Sequence, residues 1–334
     1  MSNARQLAAN LPREGGFGVR NFIINGEMQV AQRGTSVSFG HAYTLDRWRI
    51  VGGASPARVA TQENNTSYST VPHEKFLKCT NPQGQDMWTT QRIENARQFS
   101  GKTLTISYWV WSTTGSYSAT SGSWGALQAA NSNQYNVSGW GGASVSVTTT
   151  PQFVTHTINF ADISSYTHTE GDFFEWNIYH STTNDICITG VQLELGDTAT
   201  PFEHRSYGDE LARCERYLKR LNVGGSAYIG AVNYGSFLGQ VKFSEMRATP
   251  SLLSTGMTGY GSGNTEYRVY IFNSSGGGFL GAPTTATLLF NYATNSSGRI
   301  EAYVNPSWYN SAIDTAGAAL DIGAGVKLLL DAEL

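Results

Sequence analysis

A single stretch of this chain, Ser206 to Leu221 (SYGDELARCERYLKRL), carries the period of a long α-helix, while the sequence on either side is rich in Gly, Ser, Thr, Tyr and Trp. That contrast limits the fold to a mainly β protein in which one helix connects two β-rich regions. Leu211, Cys214, Leu218 and Leu221 follow one another at spacings of three, four and three, the a/d rhythm of a narrow helical seam. Ser206 and Asp209 can cap the start, and acids crowd the first turn and Lys219 and Arg220 the last. Asp209 with Arg213 and Glu215 with Lys219 are supporting i,i+4 pairs, and Gly224-Gly225 ends the run. Two uses of the stripe stay open: packing on the chain's own sheet, or self-association. Two heptads do not hold a coiled coil by themselves, so self-association needs help from the flanking domains, and Tyr217 widens the stripe beyond a strict seam.

The helix divides the chain. Residues 1–20 read as a leader, with a short helix over Asn3 to Asn10, a stop at Pro12 and the run Gly15-Gly16-Phe17-Gly18, suited to docking in a larger assembly. Residues 21–205 read as strands. Phe22-Ile23-Ile24 opens the domain, Asn25-Gly26 turns, and Met28, Val30 and Gln32 begin a second extended run. Clearer strands follow at Arg47–Val51, Thr89–Ile93, Thr103–Trp111, Ala143–Thr148, Gln152–Phe160, Phe173–Tyr179 and Asp185–Leu195. In Thr103–Trp111 the apolar Leu104, Ile106 and Tyr108 alternate with Thr105, Ser107 and Trp109, as a strand with one buried face requires. Seven or more amphipathic strands predict a β-sandwich, with the jelly roll as the expected topology. Residues 206–223 form the helical linker, and 224–334 a second, distal β-rich domain with strands near Ala227–Val232, Gly235–Phe243, Tyr267–Phe272, Thr287–Tyr292, Ile300–Val304 and Val326–Leu330.

Charge excludes some partners. Only 14% of the 334 residues are charged and the net charge is -3, against ~25% charged in an average soluble protein. A surface built from hydroxyls and amides suits neutral ligands and gives no electrostatic ground for nucleic acid. No run of 18 apolar residues exists and the first residues lack an apolar signal core, so neither membrane insertion nor signal-peptide export is expected. Cys79, Cys187 and Cys214 lie far apart with no metal-binding spacing and read as free, small apolar residues.

Five short words carry a resemblance. Asn21-Phe22-Ile23-Ile24-Asn25-Gly26, Gln32-Arg33-Gly34-Thr35-Ser36 and Tyr43-Thr44-Leu45-Asp46-Arg47-Trp48 open the first domain. Val191-Gln192-Leu193-Glu194-Leu195-Gly196 and Ala199-Thr200-Pro201-Phe202-Glu203-His204-Arg205 close it, leading into Glu210-Leu211-Ala212-Arg213-Cys214. In this order they resemble the carbohydrate-binding-module-like jelly roll of bacteriophage tail fibre and related virion fibre proteins, over roughly Asn21 to Leu221. Met246-Arg247-Ala248-Thr249-Pro250 and the terminal Asp331-Ala332-Glu333-Leu334 resemble the distal domains that follow in such proteins. The words read as architectural, their Arg, Glu and Asp serving ion pairs and turns.

The resemblance implies a virion protein, assembled in the host cytoplasm, that attaches the particle to host cell-surface polysaccharide. It implies a homotrimer, a leader bound to other virion proteins and a distal tip facing the host receptor. Jelly rolls of this type often hold a structural calcium ion, for which Asp46, Glu194 and Asp197 are the candidate carboxylates. Two alternatives stand beside this reading: a structural fibre or decoration protein that binds only virion subunits, and a polysaccharide depolymerase.

For glycan contact the candidates are aromatic residues amid amides and hydroxyls, since a pyranose stacks its CH face on a ring and presents hydroxyls to Asn, Gln and Ser. Trp109 and Trp111 share a strand face opposite Tyr108 and Val110, so one of these sets belongs to the core. Trp124 and Trp140, in glycine-rich runs read as loops, with Tyr135, are the preferred contacts, and Trp308 with Tyr309 forms a second patch if the tip binds. No enzyme is expected. Hydrolysis of glycosides needs two facing carboxylates, and nothing in the sequence singles out Asp172 with Glu175 or Asp185 with Glu94. Nor do His41, His73, His156, His168, His180 and His204 form a metal spacing or a triad.

Overall fold

The computed structural model describes residues 20–38, 42–52, 58–127, 133–135, 142–165 and 172–222, then 225–227, 230–231, 236–242, 244–253, 267–273, 276–279, 286–291, 297–304, 318–322 and 327–332. The chain divides into two compact units, Met1–Leu211 and Ala212–Glu333.

In the first unit, one six-stranded sheet runs in the order β1 (Ser36–Ser38), β4 (Val59–Asn64), β5 (Lys75–Cys79), β13 (Ile186–Leu195), β7 (Thr103–Trp111), β11 (Gln152–Asn159). The other runs β10 (Ala143–Val147), β8 (Tyr117–Leu127), β12 (Phe173–His180), β6 (Met87–Glu94), β3 (Arg49–Gly52), β2 (Ala42–Tyr43), with β9 (Asn133–Tyr135) paired to β8. From β5 to β8 each strand crosses to the opposite sheet, and all the pairings are antiparallel. This is the jelly-roll β-sandwich that the strand pattern predicts.

Alternation fills the space between the sheets. Leu104, Ile106, Tyr108 and Val110 of β7 meet Phe174, Trp176 and Ile178 of β12 in one buried cluster. Trp176 sits edge-on to Trp48 at 6.2 Å and tilts against Tyr108 at 5.0 Å. Trp111, on the other face of β7, is equally buried, packed with Val71, Phe76 and Cys187 beneath Tyr68.

The opening segment differs from expectation. Residues 20–34 bury Ile23, Met28 and Val30 completely, yet they form no strand. Buried backbone outside a ladder must find side-chain partners, and amides of the sequence words and of β6 supply them. Asn21 accepts from the N–H groups of Ile23 and Leu193 at 2.9 and 3.0 Å and donates to Val191 O. Gln91 brackets both the N–H and the C=O of Ile24 at 2.8 Å. Asn25 closes on the N–H and C=O of Val30. Arg205 donates to Ile23 O and pairs with Glu203 and Glu210, tying the domain's exit to its entry.

The helix is shorter than its periodicity predicts. Helix α1 covers Tyr207–Glu215, capped by Ser206, whose Oγ accepts from Asp209 N at 3.1 Å and donates to the Asp209 carboxylate at 2.6 Å. Leu218 and Leu221 lie beyond its end, in β14 (Leu218–Asn222), which pairs with β24 (Lys327–Asp331). Strand pairing with the apolar Leu328, Leu329 and Leu330 outweighs the helix propensity of Leu218 to Arg220. The seam expected from Leu211, Cys214, Leu218 and Leu221 is therefore not one helical stripe: only Leu211 and Cys214 are helical, and the 206–223 linker splits into helix and strand.

In the second unit β14 and β18 (Ser251–Leu253) flank β24. Among its described residues are two further, four-stranded antiparallel sheets. One is β15 (Gly225–Ala227), β23 (Ala318–Ile322), β19 (Tyr267–Asn273), β20 (Gly276–Phe279); the other is β16 (Gly230–Ala231), β17 (Ser236–Lys242), β22 (Ser297–Val304), β21 (Ala286–Asn291). Its two sequence words meet: Met246 packs with Leu330 and Ala332, and Arg247 Nε donates to Ala332 O at 3.0 Å.

Candidate functional site

The outer face of the seven-stranded sheet carries a groove of about 560 Å³. It is built by the alternation that builds the core, read on the opposite side. Phe174, Trp176 and Ile178 of β12 point inward, so Glu175, Asn177 and Tyr179 point out. Antiparallel register then sets three rows across the strands: Thr120, Tyr179, Trp88 and Val51; Gly122, Asn177, Thr90 and Arg49; and Trp124, Glu175 and Arg92.

Each row offers different chemistry. In the first, the half-buried rings of Trp88 and Tyr179 lie 4.9 Å apart and 36° from parallel, a hydrophobic platform at one end of the groove. Tyr179 Oη is fixed by a 2.8 Å hydrogen bond to Asp86. In the second, Asn177 fits against a residue with no side chain, since a Cβ on Gly122 would stand 3.3 Å from Asn177 Oδ1. In the third, Arg92 Nε donates to Glu175 Oε2 at 2.9 Å while its guanidinium lies over the Phe173 ring at 4.1 Å.

Burial pushes the Glu175 carboxyl above the usual carboxylate range, and the Arg92 and Arg49 charges oppose that shift. Burial, with repulsion from Arg92, lowers Arg49. Stacking area, an amide and a fixed cation–anion pair can orient hydroxyls of a polyol chain; among the described residues the lining contains one carboxylate, already ion-paired.

Sequence reasoning named other residues. Trp124 and Tyr135 are in strands, not loops: Trp124 stands in β8 at the register position opposite Glu175, and Tyr135 in β9 opposite Gly125. Both are placed here by backbone pairing. Trp140, Trp308 and Tyr309 lie outside the described residues. Trp88 and Tyr179 went unnamed, although their alternation with Met87, Thr89 and Ile178 marked them as outward-facing.

The proposed calcium carboxylates do not converge. Asp46 is buried and spent on Gln32, whose N–H and Nε2 donate at 2.7 and 2.6 Å. Glu194 accepts from Thr200 N and Oγ1, and Asp197 is exposed beside Thr198. Of the pairs weighed for catalysis, Asp185 is held by Ser112, Thr113 and Lys78, and Glu175 by Arg92. The three cysteines are buried thiols.

No family model matches the chain, and no curated protein does. Solved structures similar to it include carbohydrate-binding jelly rolls and a phage tailspike domain. The enzymatically active domain of tailspike protein 4 of bacteriophage CBA120 is 18% identical over 53% of this chain and 21% of that one, with a TM-score of 0.36. The CBM22-1 xylan-binding domain of Xyn10C from Paenibacillus barcinonensis is 14% identical over 49% of this chain and 94% of that one, with a TM-score of 0.30. TmCBM61, solved with β-1,4-galactotriose, is 13% identical over 54% of this chain and 100% of that one, with a TM-score of 0.29.

Proposed function

We propose that the first domain binds a polysaccharide chain along the groove of the seven-stranded sheet, as the adhesive part of a bacteriophage fibre. The observation that carries the reading is the Trp88–Tyr179 pair, at one end of the line of outward side chains that runs along β12 through Asn177 to the Arg92–Glu175 pair. A saccharide lying along β12 stacks on the rings and exchanges hydroxyl hydrogen bonds with the amide and the ion pair. We favour binding over cleavage for this lining because, among its described residues, the carboxylate Glu175 is already paired with Arg92 at 2.9 Å. The fibre assignment rests on the ordered sequence words. In that setting the chain is a homotrimer on the virion, its leader bound to other virion proteins, and several weak grooves act together through avidity.

The test is retention of the full-length protein on immobilised cell-surface polysaccharides of bacterial hosts, beside Trp88→Ala and Tyr179→Ala. Retention lost in both variants, with circular dichroism unchanged and no reducing ends released, is the expected result. Retention kept by both variants, or no polysaccharide retained by the parent, overturns the groove. Release of reducing ends would return the depolymerase reading.

A further inference from the structure

Away from the groove, on the six-stranded side of the same domain, Glu27, His73 and His204 bring one ligand atom each within 4.8 Å of one another. Glu27 Oε1 lies 2.9 Å from His73 Nδ1 and 2.7 Å from His204 Nδ1, so a single oxygen faces two imidazole nitrogens. The three come from the opening turn, the loop before β5 and the exit segment after β13, which are remote in sequence.

The surroundings hold this geometry. The second carboxylate oxygen, Glu27 Oε2, accepts from Gln29 Nε2 at 2.8 Å, which fixes the rotation that turns Oε1 toward the histidines. Phe202 stands edge-on to both imidazoles, at 4.9 Å from His73 and 5.2 Å from His204, an apolar wall behind the nitrogens. His73 is buried because β13 makes room for it. The register of β13 shifts between Thr189 and Gln192, and a Cβ on Gly190 would fall 2.2 Å from His73 Nε2. With φ at +60°, Gly190 holds a conformation that other residues also resist. Asn65 shapes the loop, donating to the backbone oxygens of Tyr68, Val71 and His73.

The geometry points to a site for a zinc-class transition metal, with His73 Nδ1, His204 Nδ1 and Glu27 Oε1 as ligands and a water as the fourth. Two imidazole nitrogens select against calcium, which takes oxygen ligands, and favour zinc among the available divalent ions. Tetrahedral zinc with ligands near 2.0 Å requires ligand atoms about 3.3 Å apart. The Glu27–His204 separation must therefore open by roughly 0.6 Å, which the exposed His204 side chain, on the segment leading to α1, can supply, and the Glu27–His73 separation by roughly 0.4 Å, which falls to Glu27 because His73 is buried. Bound metal replaces the two Nδ1 hydrogen bonds, each neutral imidazole carrying its proton on Nε2. The ion would join entry, loop and exit in one crosslink, so its binding adds to folding stability.

The experiment uses the full chain without a histidine tag. Zinc retained after dialysis is measured by mass spectrometry, the visible spectrum is recorded with cobalt(II) in its place, and melting is followed with zinc or calcium. Expected are one zinc per chain, a tetrahedral cobalt spectrum, and a melting rise of roughly 5–10 °C at zinc a hundredfold above its dissociation constant. Calcium should give no rise. Glu27→Gln, which keeps volume and hydrogen bonding, and His204→Ala, at an exposed position, should each weaken zinc binding at least tenfold. Equal zinc retention by both variants, no zinc-dependent rise in the parent, or the same rise with calcium would overturn the site. Groove binding by the variants is read separately and is expected to be unchanged.

Discussion

The two sheets of the sandwich share a core and the same alternation, yet their outer faces have opposite fates. On the six-stranded sheet the outward positions of β7 and β13 are roofed over. Tyr68 and Val71 cover Trp111 and Cys187, while Gln192 and Glu194 are buried under Thr200 and Glu203. On the seven-stranded sheet the equivalent positions, Trp88, Asn177 and Tyr179, stay half-exposed and form a groove. The outward Trp111 of the six-stranded sheet is thus a packing element and the outward Trp88 of the seven-stranded sheet a half-exposed one, and what decides between them is whether a loop crosses above it. Residue type does not.

Substitutions on the two faces should separate the roles. The largest effect belongs to the roofed face: Trp111→Ala should lower the unfolding free energy of the first domain by about 3–5 kcal/mol in urea titrations. Polysaccharide retention by the molecules that remain folded should be unchanged, and a stable variant that no longer binds would undo the division of roles.

The next effect tests whether the open sheet is dry on its inner side. His180, buried beside Tyr117, is pushed down to about 4 by burial and the nearby Arg58 charge. Below pH ~6.5 the unfolded chain takes up a proton that the folded chain refuses until about pH 4, so stability present above this window is lost as the pH falls through it. That loss is roughly 3 kcal/mol, and His180→Gln should remove it; parallel pH profiles for parent and variant would show that His180 is hydrated.

Third, Trp88→Ala should weaken retention about 30-fold, near 2 kcal/mol, with little change in the urea midpoint. A large midpoint drop would make Trp88 another core residue. The smallest effect is at Phe153, which is 51% exposed on the six-stranded sheet against Trp109. Phe153→Ser should move stability by less than ~0.5 kcal/mol and leave retention alone; any loss of retention would put a second binding face there.

Much of the sandwich was legible. The strand read at Thr103–Trp111 has those bounds, and those read at Ala143, Gln152, Phe173 and near Asp185 begin within a residue of the observed strands. β8 escaped because its alternating positions are mostly Ser, Thr, Gly and Ala, which leave no apolar period to detect. The groove was not legible, because it exists only in register: nothing local places Trp88 beside Tyr179 or Arg92 beside Glu175. The helix was over-read at its C-terminal end because the competing partner of Leu218 to Leu221 lies at the far end of the chain, in β24. The metal-type cluster is hidden for the same reason, since its three ligands share no spacing.

The link between Asn21 and Arg205 has a consequence for length. These residues are separated by 184 positions, yet the Arg205 guanidinium reaches the Asn21 carbonyl. A path traced along the backbone leaves the jelly roll almost where it went in. The residues between them therefore add almost nothing to the distance that the backbone covers from Asn21 to Arg205.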